Sequence, residues 1–113
     1  MQVLDRLRFE LSNKKYFDDV DYISILEEND LDSSVEYIKA TMQKQLLYTV
    51  VDILEAVSND VDNMRRIEVE FETTEAAFKY LQARIQDIKK RIATIPDPVD
   101  PEANSMFSLM FTR

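Results

Sequence analysis

The chain has 113 residues and a formal net charge of −8; 45% of the residues are hydrophobic, 32% are charged, and Gly, Cys, His and Trp are absent. Without glycine the common phosphate-binding loops and the EF-hand loop are excluded, and without His and Cys so are ordinary zinc, haem and iron–sulfur ligand sets, thiol nucleophiles and imidazole bases. The negative charge opposes binding to nucleic acid or an anionic membrane, and no apolar run approaches the roughly 20 residues that span a bilayer. We therefore expect one domain that is not an enzyme and has no cofactor and no metal site.

Two short amphipathic helices are predicted near the N-terminus. Apolar residues recur at helical spacing from Val3 to Leu11, and a turn follows. A second helix fits Asp19 to Glu28, with Asp18 or Asp19 as its N-cap.

A long helix is predicted next, from about residue 33 to residue 57. Ser33 and Glu36 have the spacing of a capping box, in which the two side chains satisfy each other's backbone N–H groups. Apolar residues then follow at steps of three and four: Val35, Ile38, Met42, Leu46, Val50, Ile53 and Val57, with Leu47 and Leu54 widening the stripe. About 25 residues at ~1.5 Å each give a rod of roughly 37 Å, which suits a central helix.

A short extended arm is predicted over about 66–72, followed by a last helix. Ile67, Val69 and Phe71 alternate with glutamates, the period-two pattern of a strand, and a lone strand would need a neighbouring chain to pair with. Thr73 or Thr74 caps the helix that follows. Its apolar stripe consists of Phe78, Leu81, Ile85, Ile88, Ile92 and Ile95, and Pro96 ends it. The predicted fold is therefore mainly α: a bundle of about four helices with one long central helix, a short extended arm and an extended C-terminal tail.

Asparagine is predicted to replace glycine where helices end. Asn13, Asn29 and Asn59 each follow a predicted helix, and asparagine tolerates the left-handed conformation better than most residues. The alternative is that these are simply polar loop residues.

The chain is predicted to divide into a helical domain (1–95), an acidic linker with three prolines (96–104) and an apolar docking tail (105–113). Two interpretations of the tail stay open: it docks on another protein, or it folds back into the chain's own core. The proline spacing favours docking. The candidate partner-binding residues are Met106, Phe107, Leu109, Met110 and Phe111 of the tail and Ile67, Val69 and Phe71 of the predicted arm.

Acidic clusters raise the question of calcium or acid–base chemistry. Counting from Asp30, an EF-hand would need glycine and glutamate where this chain has Val35 and Thr41. The glutamates within 68–72 would share one face of the predicted strand, which favours a solvated or partner-facing edge. Neither cluster is expected to be a site.

The last helix is locally basic, with five basic and two acidic residues over 74–95, whereas residues 1–32 hold nine acids and four bases. This asymmetry suits head-to-tail contacts between identical copies, which can close into a ring. The alternative is that cations near a helix C-terminus complement its dipole. The candidate subunit-interface residues are Lys79, Arg84, Lys89, Lys90 and Arg91. Five bases without interleaved aromatics predict no direct reading of nucleic acid.

The order of elements resembles the head–tail adaptor (head-completion or connector) proteins of tailed bacteriophages. The segments that carry the resemblance are Leu46 to Ala56 in the long helix, Ile67 to Phe71, and Met106 to Phe111. The resemblance implies a non-enzymatic virion protein, made in the host cytoplasm, that forms a ring of identical copies and docks on a portal through its tail. The alternative is a small bacterial cytoplasmic regulator or chaperone that binds one protein partner through its helical face.

Overall fold

A computed structural model describes residues 1–96, apart from the side chains of 68–70. Within them lie five helices: α1 (Val3–Glu10), α2 (Asp19–Glu28), α3 (Lys39–Ser58), α4 (Val61–Phe71) and α5 (Thr74–Thr94). The described part of the chain has no strand, only an isolated antiparallel bridge between Gln2 and Glu36. The prediction of a mainly α fold with a long central helix is confirmed. The predicted linker and tail, from residue 97 onward, lie outside the described residues.

The first two helices agree with the sequence prediction. α2 has the predicted bounds, although its N-cap Asp18 makes no side-chain capping bond. The Arg8 guanidinium of α1 lies 2.5 Å from an Asp19 carboxylate oxygen at the start of α2, and this hydrogen bond raises the pKa of Arg8 above its usual value. The loop between the helices is fixed by the buried Tyr22, whose hydroxyl accepts hydrogen bonds from the backbone N–H groups of Tyr16 (3.0 Å) and Phe17 (3.2 Å).

The predicted capping box at Ser33 and Glu36 is wrong, and α3 begins at Lys39 instead. The segment before it turns at residues 33–34 and pairs with the N-terminus: Val3 N–H donates to the Val35 carbonyl at 2.9 Å, and Leu4 N–H donates to the Ser33 carbonyl at 3.1 Å. These bonds satisfy backbone groups that a helix would otherwise have used. Val35 and Ile38, which were predicted to lie in the helical stripe, are consequently exposed.

The predicted extended arm at 66–72 is also wrong, because these residues belong to α4. Asp60 caps this helix by accepting a hydrogen bond from Asn63 N–H at 3.0 Å. Met64 and Ile67 are buried and Phe71 packs against the core, and their steps of three and four place them on one helical face. The apolar residues that alternate from 67 to 71 belong to a longer helical pattern, which begins at Met64, before the glutamates.

The fifth helix begins as predicted, with the Thr73 hydroxyl accepting from Ala76 N–H at 3.0 Å. Its inner face buries Ala77, Leu81, Ile85, Ile88 and Ile92. Phe78 was expected in this stripe but is 45% exposed, because Ala77 takes the inward position of that turn. Ile95 is half-buried against the core.

One apolar core joins all five helices. The buried apolar residues are Val3, Leu7, Leu11, Tyr22, Leu26, Leu31, Leu46, Leu47, Val50, Val51, Ile53, Leu54, Val57, Met64, Ile67, Ala77, Leu81, Ile85, Ile88 and Ile92. α3 supplies the largest share of these residues, and it contacts each of the other four helices. The predicted role of α3 as the central helix follows from that placement.

The prediction that asparagines form left-handed helix ends holds at one of three positions. Asn13 has a φ of 58°, whereas Asn29 (−102°) and Asn59 (−97°) do not enter the left-handed region. After α2 the left-handed residue is Asp30, with a φ of 63°. Asn29 instead uses its side-chain amide, which donates to the Ile25 carbonyl at 3.1 Å and thereby satisfies a carbonyl near the end of α2.

Candidate functional site

The clefts of the described residues are shallow and of mixed polarity. A cleft of about 440 Å³ lies between the α1–α2 loop and the start of α4, and Asp18, Asp60, Asn63 and Arg66 are among its lining residues. Arg66 donates to the Asn63 side-chain oxygen and to the Tyr16 carbonyl, so these polar groups bond to one another. Among the described side chains of residues 1–67 and 71–96, no group of three or more is placed to hold a metal ion.

In the acidic cluster around residue 32, the Asp32 carboxylate forms hydrogen bonds within its own loop. The Asp32 carboxylate accepts hydrogen bonds from Ser34 N–H at 2.9 Å and from the Ser34 hydroxyl at 2.7 Å. These two bonds, the backbone one first, lower the pKa of Asp32. The arrangement stabilises the turn at residues 33–34.

The structure describes the side chains of only two candidate partner-binding residues, Ile67 and Phe71. Ile67 is only 7% exposed and belongs to the chain's own core, so it offers no surface to a partner. Phe71 is half-buried and its ring lies 4.9 Å from that of Tyr80, which is 40% exposed. Val69 lies in α4, with a side chain outside the described set. The five candidates of the tail, Met106, Phe107, Leu109, Met110 and Phe111, lie outside the described residues.

Four of the five basic residues of α5 bond to partners within the chain. Lys79 pairs with Glu75 at 3.1 Å, and Lys89 pairs with Glu55 of α3 at 3.3 Å. Arg84 and Arg91 both reach Glu10 at the end of α1, Arg84 through the backbone carbonyl at 2.6 Å and Arg91 through the carboxylate at 2.9 Å. The acidic N-terminal part and the basic last helix therefore meet within one copy at Glu10. Lys90 is exposed.

The chain was compared with known families, curated proteins and solved structures. None of them matches. Function has to be argued from the chain's own surfaces. In residues 1–96 no helix is both long and apolar enough to cross a bilayer.

A groove with an apolar lining lies between α3 and α5, and we call it the α3/α5 groove. It has a volume of about 380 Å³ and is lined by Lys44, Tyr48, Val51, Lys89, Ile92 and Ala93. Val51 and Ile92 form the floor, each 6% exposed, and Tyr48 forms a wall that is 44% exposed. The volume lies in the range of about 300–1,000 Å³ typical of ligand pockets. An apolar floor between two lysines suits an occupant that is apolar and acidic.

Sequence reasoning missed this groove, although one residue gave a signal. Tyr48 is a large aromatic residue that lies outside the predicted apolar stripe of the long helix, between Leu47 and Thr49. Both of those neighbours are buried, whereas the Tyr48 ring is exposed. Ala93 gave no signal because a small residue on a helix surface is ordinary, yet its missing side-chain bulk helps leave the groove open.

A cluster of two aromatic rings around Arg6 lies where α1 meets the segment before α3. The Arg6 guanidinium lies 5.1 Å from the centre of the Phe9 ring and 5.5 Å from that of Tyr37, within the range of cation–π contacts. Burial raises the pKa of the Tyr37 hydroxyl, and the nearby Arg6 charge opposes that rise. This cluster fastens that segment to α1.

Proposed function

We propose that the protein is a non-enzymatic assembly subunit, a phage head–tail connector that forms a ring of identical copies and docks on a portal through its C-terminal tail. The observation that carries this proposal is the division of apolar residues along the chain. Residues 3–92 supply one core that joins all five helices. Beyond the linker, five of the six residues from Met106 to Phe111 are large and apolar. Such a segment gains most free energy by burial against a partner protein.

The linker supports the same proposal. Prolines at 96, 98 and 101 favour an extended chain of about 3.1 Å per residue, which holds an apolar segment away from the body that carries it. The docking residues of the proposal are Met106, Phe107, Leu109, Met110 and Phe111. Contacts between identical copies would involve Lys79, Lys89 and Lys90 at exposed positions of α5, because the Arg84 and Arg91 guanidinium groups bond to Glu10. The ring would be part of a virion and be made in the host cytoplasm.

The test is native mass spectrometry of the protein with the portal protein encoded in the same genome. Burial of five apolar side chains would contribute roughly 1.5–3 kcal/mol each before ordering costs, so deleting 97–113 should weaken portal binding by at least about a hundredfold. Deleting only Thr112 and Arg113 leaves the apolar residues in place and is the matched control. Portal binding that survives the longer deletion would contradict docking through the tail, and a genome without a portal gene would contradict the connector function.

A small regulator or chaperone in the bacterial cytoplasm is the second candidate, and the α3/α5 groove favours it. A helical protein with one apolar groove can hold an extended or helical segment of a single partner. This candidate predicts a stable monomer or dimer that does not assemble into a ring. Native mass spectrometry of the protein alone, over a range of concentrations, separates the two candidates.

A further inference from the structure

The α3/α5 groove lies beside the point where the chain leaves its last helix. Ile92 and Ala93 line the groove, and α5 ends at Thr94. At ~1.5 Å of rise per residue, the groove is within about 5 Å, measured along the helix axis, of the first residue of the linker. Whatever occupies the groove must therefore lie close to the start of the linker of the copy that provides the groove.

The chain contains one segment whose chemistry matches the groove. The floor of Val51 and Ile92 is apolar, and Lys44 and Lys89 are the charged residues of the lining. Lys89 pairs with Glu55 at 3.3 Å, but both side chains are 49% exposed, and such surface pairs are weak enough to exchange partners. The segment from Asp97 to Phe111 carries three acids at 97, 100 and 102 and then the apolar residues. Apolar residues would cover the floor while the acids face the lysines.

The reach of the linker decides which copy provides the groove. Met106 lies ten positions after Pro96. At about 3.1 Å per residue, an extended linker would hold Met106 roughly 30 Å from the end of α5, whereas the groove begins about 5 Å from that end. The prolines at 96, 98 and 101 stiffen the first part of the linker, so a return to the groove of the same copy would need a reversal within 102–105. A groove on another copy meets no such restriction.

From this placement we infer that the α3/α5 groove is the docking site for the C-terminal tail of a second copy of this chain. The inference deepens the proposed function and rests on it, since it names the contact through which identical copies join. Tail-to-groove contact is head-to-tail, so each copy offers one tail and one groove, and repetition closes into a ring or extends as a filament. A portal would compete with the groove for the same apolar residues.

Two matched variants of the full-length chain test the site. Ala93→Glu places a bulky anion in the groove, where it blocks the floor and repels the acidic linker. Ala83→Glu makes the same change at an exposed position of α5 that does not line the groove. Analytical ultracentrifugation should show self-association of the unaltered chain, at least tenfold weaker association for Ala93→Glu, and none of that loss for Ala83→Glu. Monomers at every concentration, or equal loss in both variants, would overturn the inference.

A cross-linking experiment on the full-length chain identifies which copy is bound. Phe107 is replaced by p-benzoylphenylalanine, and the protein is mixed as equal parts of ¹⁴N- and ¹⁵N-labelled chains before illumination. Cross-links from residue 107 to peptides that contain Tyr48 or Ala93, with half of them joining a light chain to a heavy one, support docking on a second copy. Cross-links within single chains, cross-links to other surfaces, or none at all would overturn it.

Portal binding by Ala93→Glu separates this inference from the proposed function, because this variant keeps an intact tail. A variant that no longer self-associates yet binds the portal supports both the groove and the connector function. If the self-association experiments give an overturning result while the portal binds normally, only the groove assignment is refuted and the connector function stands.

Discussion

Replacing Glu10 with glutamine should destabilise the fold far more than the same change at a surface glutamate. The Glu10 side chain is 11% exposed, and its carboxylate lies 3.2 Å from Arg6 and 2.9 Å from Arg91. Breaking a fully buried pair costs about 3–5 kcal/mol, whereas exposed pairs contribute about 0.2–1 kcal/mol. Because Arg91 is 49% exposed and Arg6 is 26% exposed, we place the loss between these limits, at about 2 kcal/mol.

The assay for Glu10→Gln is urea unfolding followed by circular dichroism, with thermal unfolding in parallel. For a domain of this size a loss of about 2 kcal/mol corresponds to a Tm lower by roughly 8 °C. Glu75→Gln is the control, since Glu75 is 79% exposed in its pair with Lys79 and should change stability by less than about 0.5 kcal/mol. The Arg84 bond goes to the Glu10 backbone carbonyl and survives the substitution. Equal unfolding free energies for the two variants would refute the role assigned to the Glu10 carboxylate.

Three further predictions test local features. Tyr22→Phe removes the hydroxyl that accepts from two backbone N–H groups, so we expect a loss of about 1–3 kcal/mol in urea unfolding, and no loss would show that water replaces the hydroxyl. Because the pKa of Tyr37 is raised, the native state keeps the phenol proton at a pH where the unfolded chain releases it, so stability should fall as pH rises through the folded pKa. Ultraviolet titration should show a tyrosine ionisation phase above the usual range, and Tyr37→Phe should remove that phase. Glu72→Gly relieves a left-handed backbone with a φ of 68° and should raise stability by about 0.5 kcal/mol, while Glu75→Gly, inside α5, should lower it by about 1 kcal/mol; a loss in both would contradict the strain.

The helices that could be predicted from sequence are those whose signals are local. α2 carries an acidic first turn and a clear apolar face, and α5 carries the Thr73 cap, so both begin where expected. The start of α3 could not be predicted, because Ser33 and Glu36 have the spacing of a capping box. Their segment is held out of the helix by backbone bonds to residues 29 to 36 positions earlier in the chain. Local spacing carries no information about such a distant partner.

The wrong prediction at α4 arose because too few residues were considered to distinguish the period of a strand from that of a helix. From 67 to 71 the apolar residues alternate, but Met64 and the Asp60 cap lie outside that window and complete a helical pattern. The basic residues of α5 were recognised from sequence, whereas their pairing with Glu10 was not, because 74 positions separate Glu10 from Arg84. Charge counts indicate that acidic and basic segments attract each other. Only the fold shows that Glu10 and the arginines meet within one copy.

The absence of glycine has a structural consequence that composition alone does not reveal. The described residues with positive φ are Ser12, Asn13, Asp30 and Glu72, and all four follow the ends of α1, α2 or α4. A non-glycine residue in this region costs roughly 1–2 kcal/mol, less where a short polar side chain bonds locally. Between α3 and α4 the chain avoids the cost: Asn59 stays right-handed and Asp60 caps the next helix at once. Glu72 has no short polar side chain to offset its conformation, so the α4–α5 turn is where a glycine would stabilise this fold most.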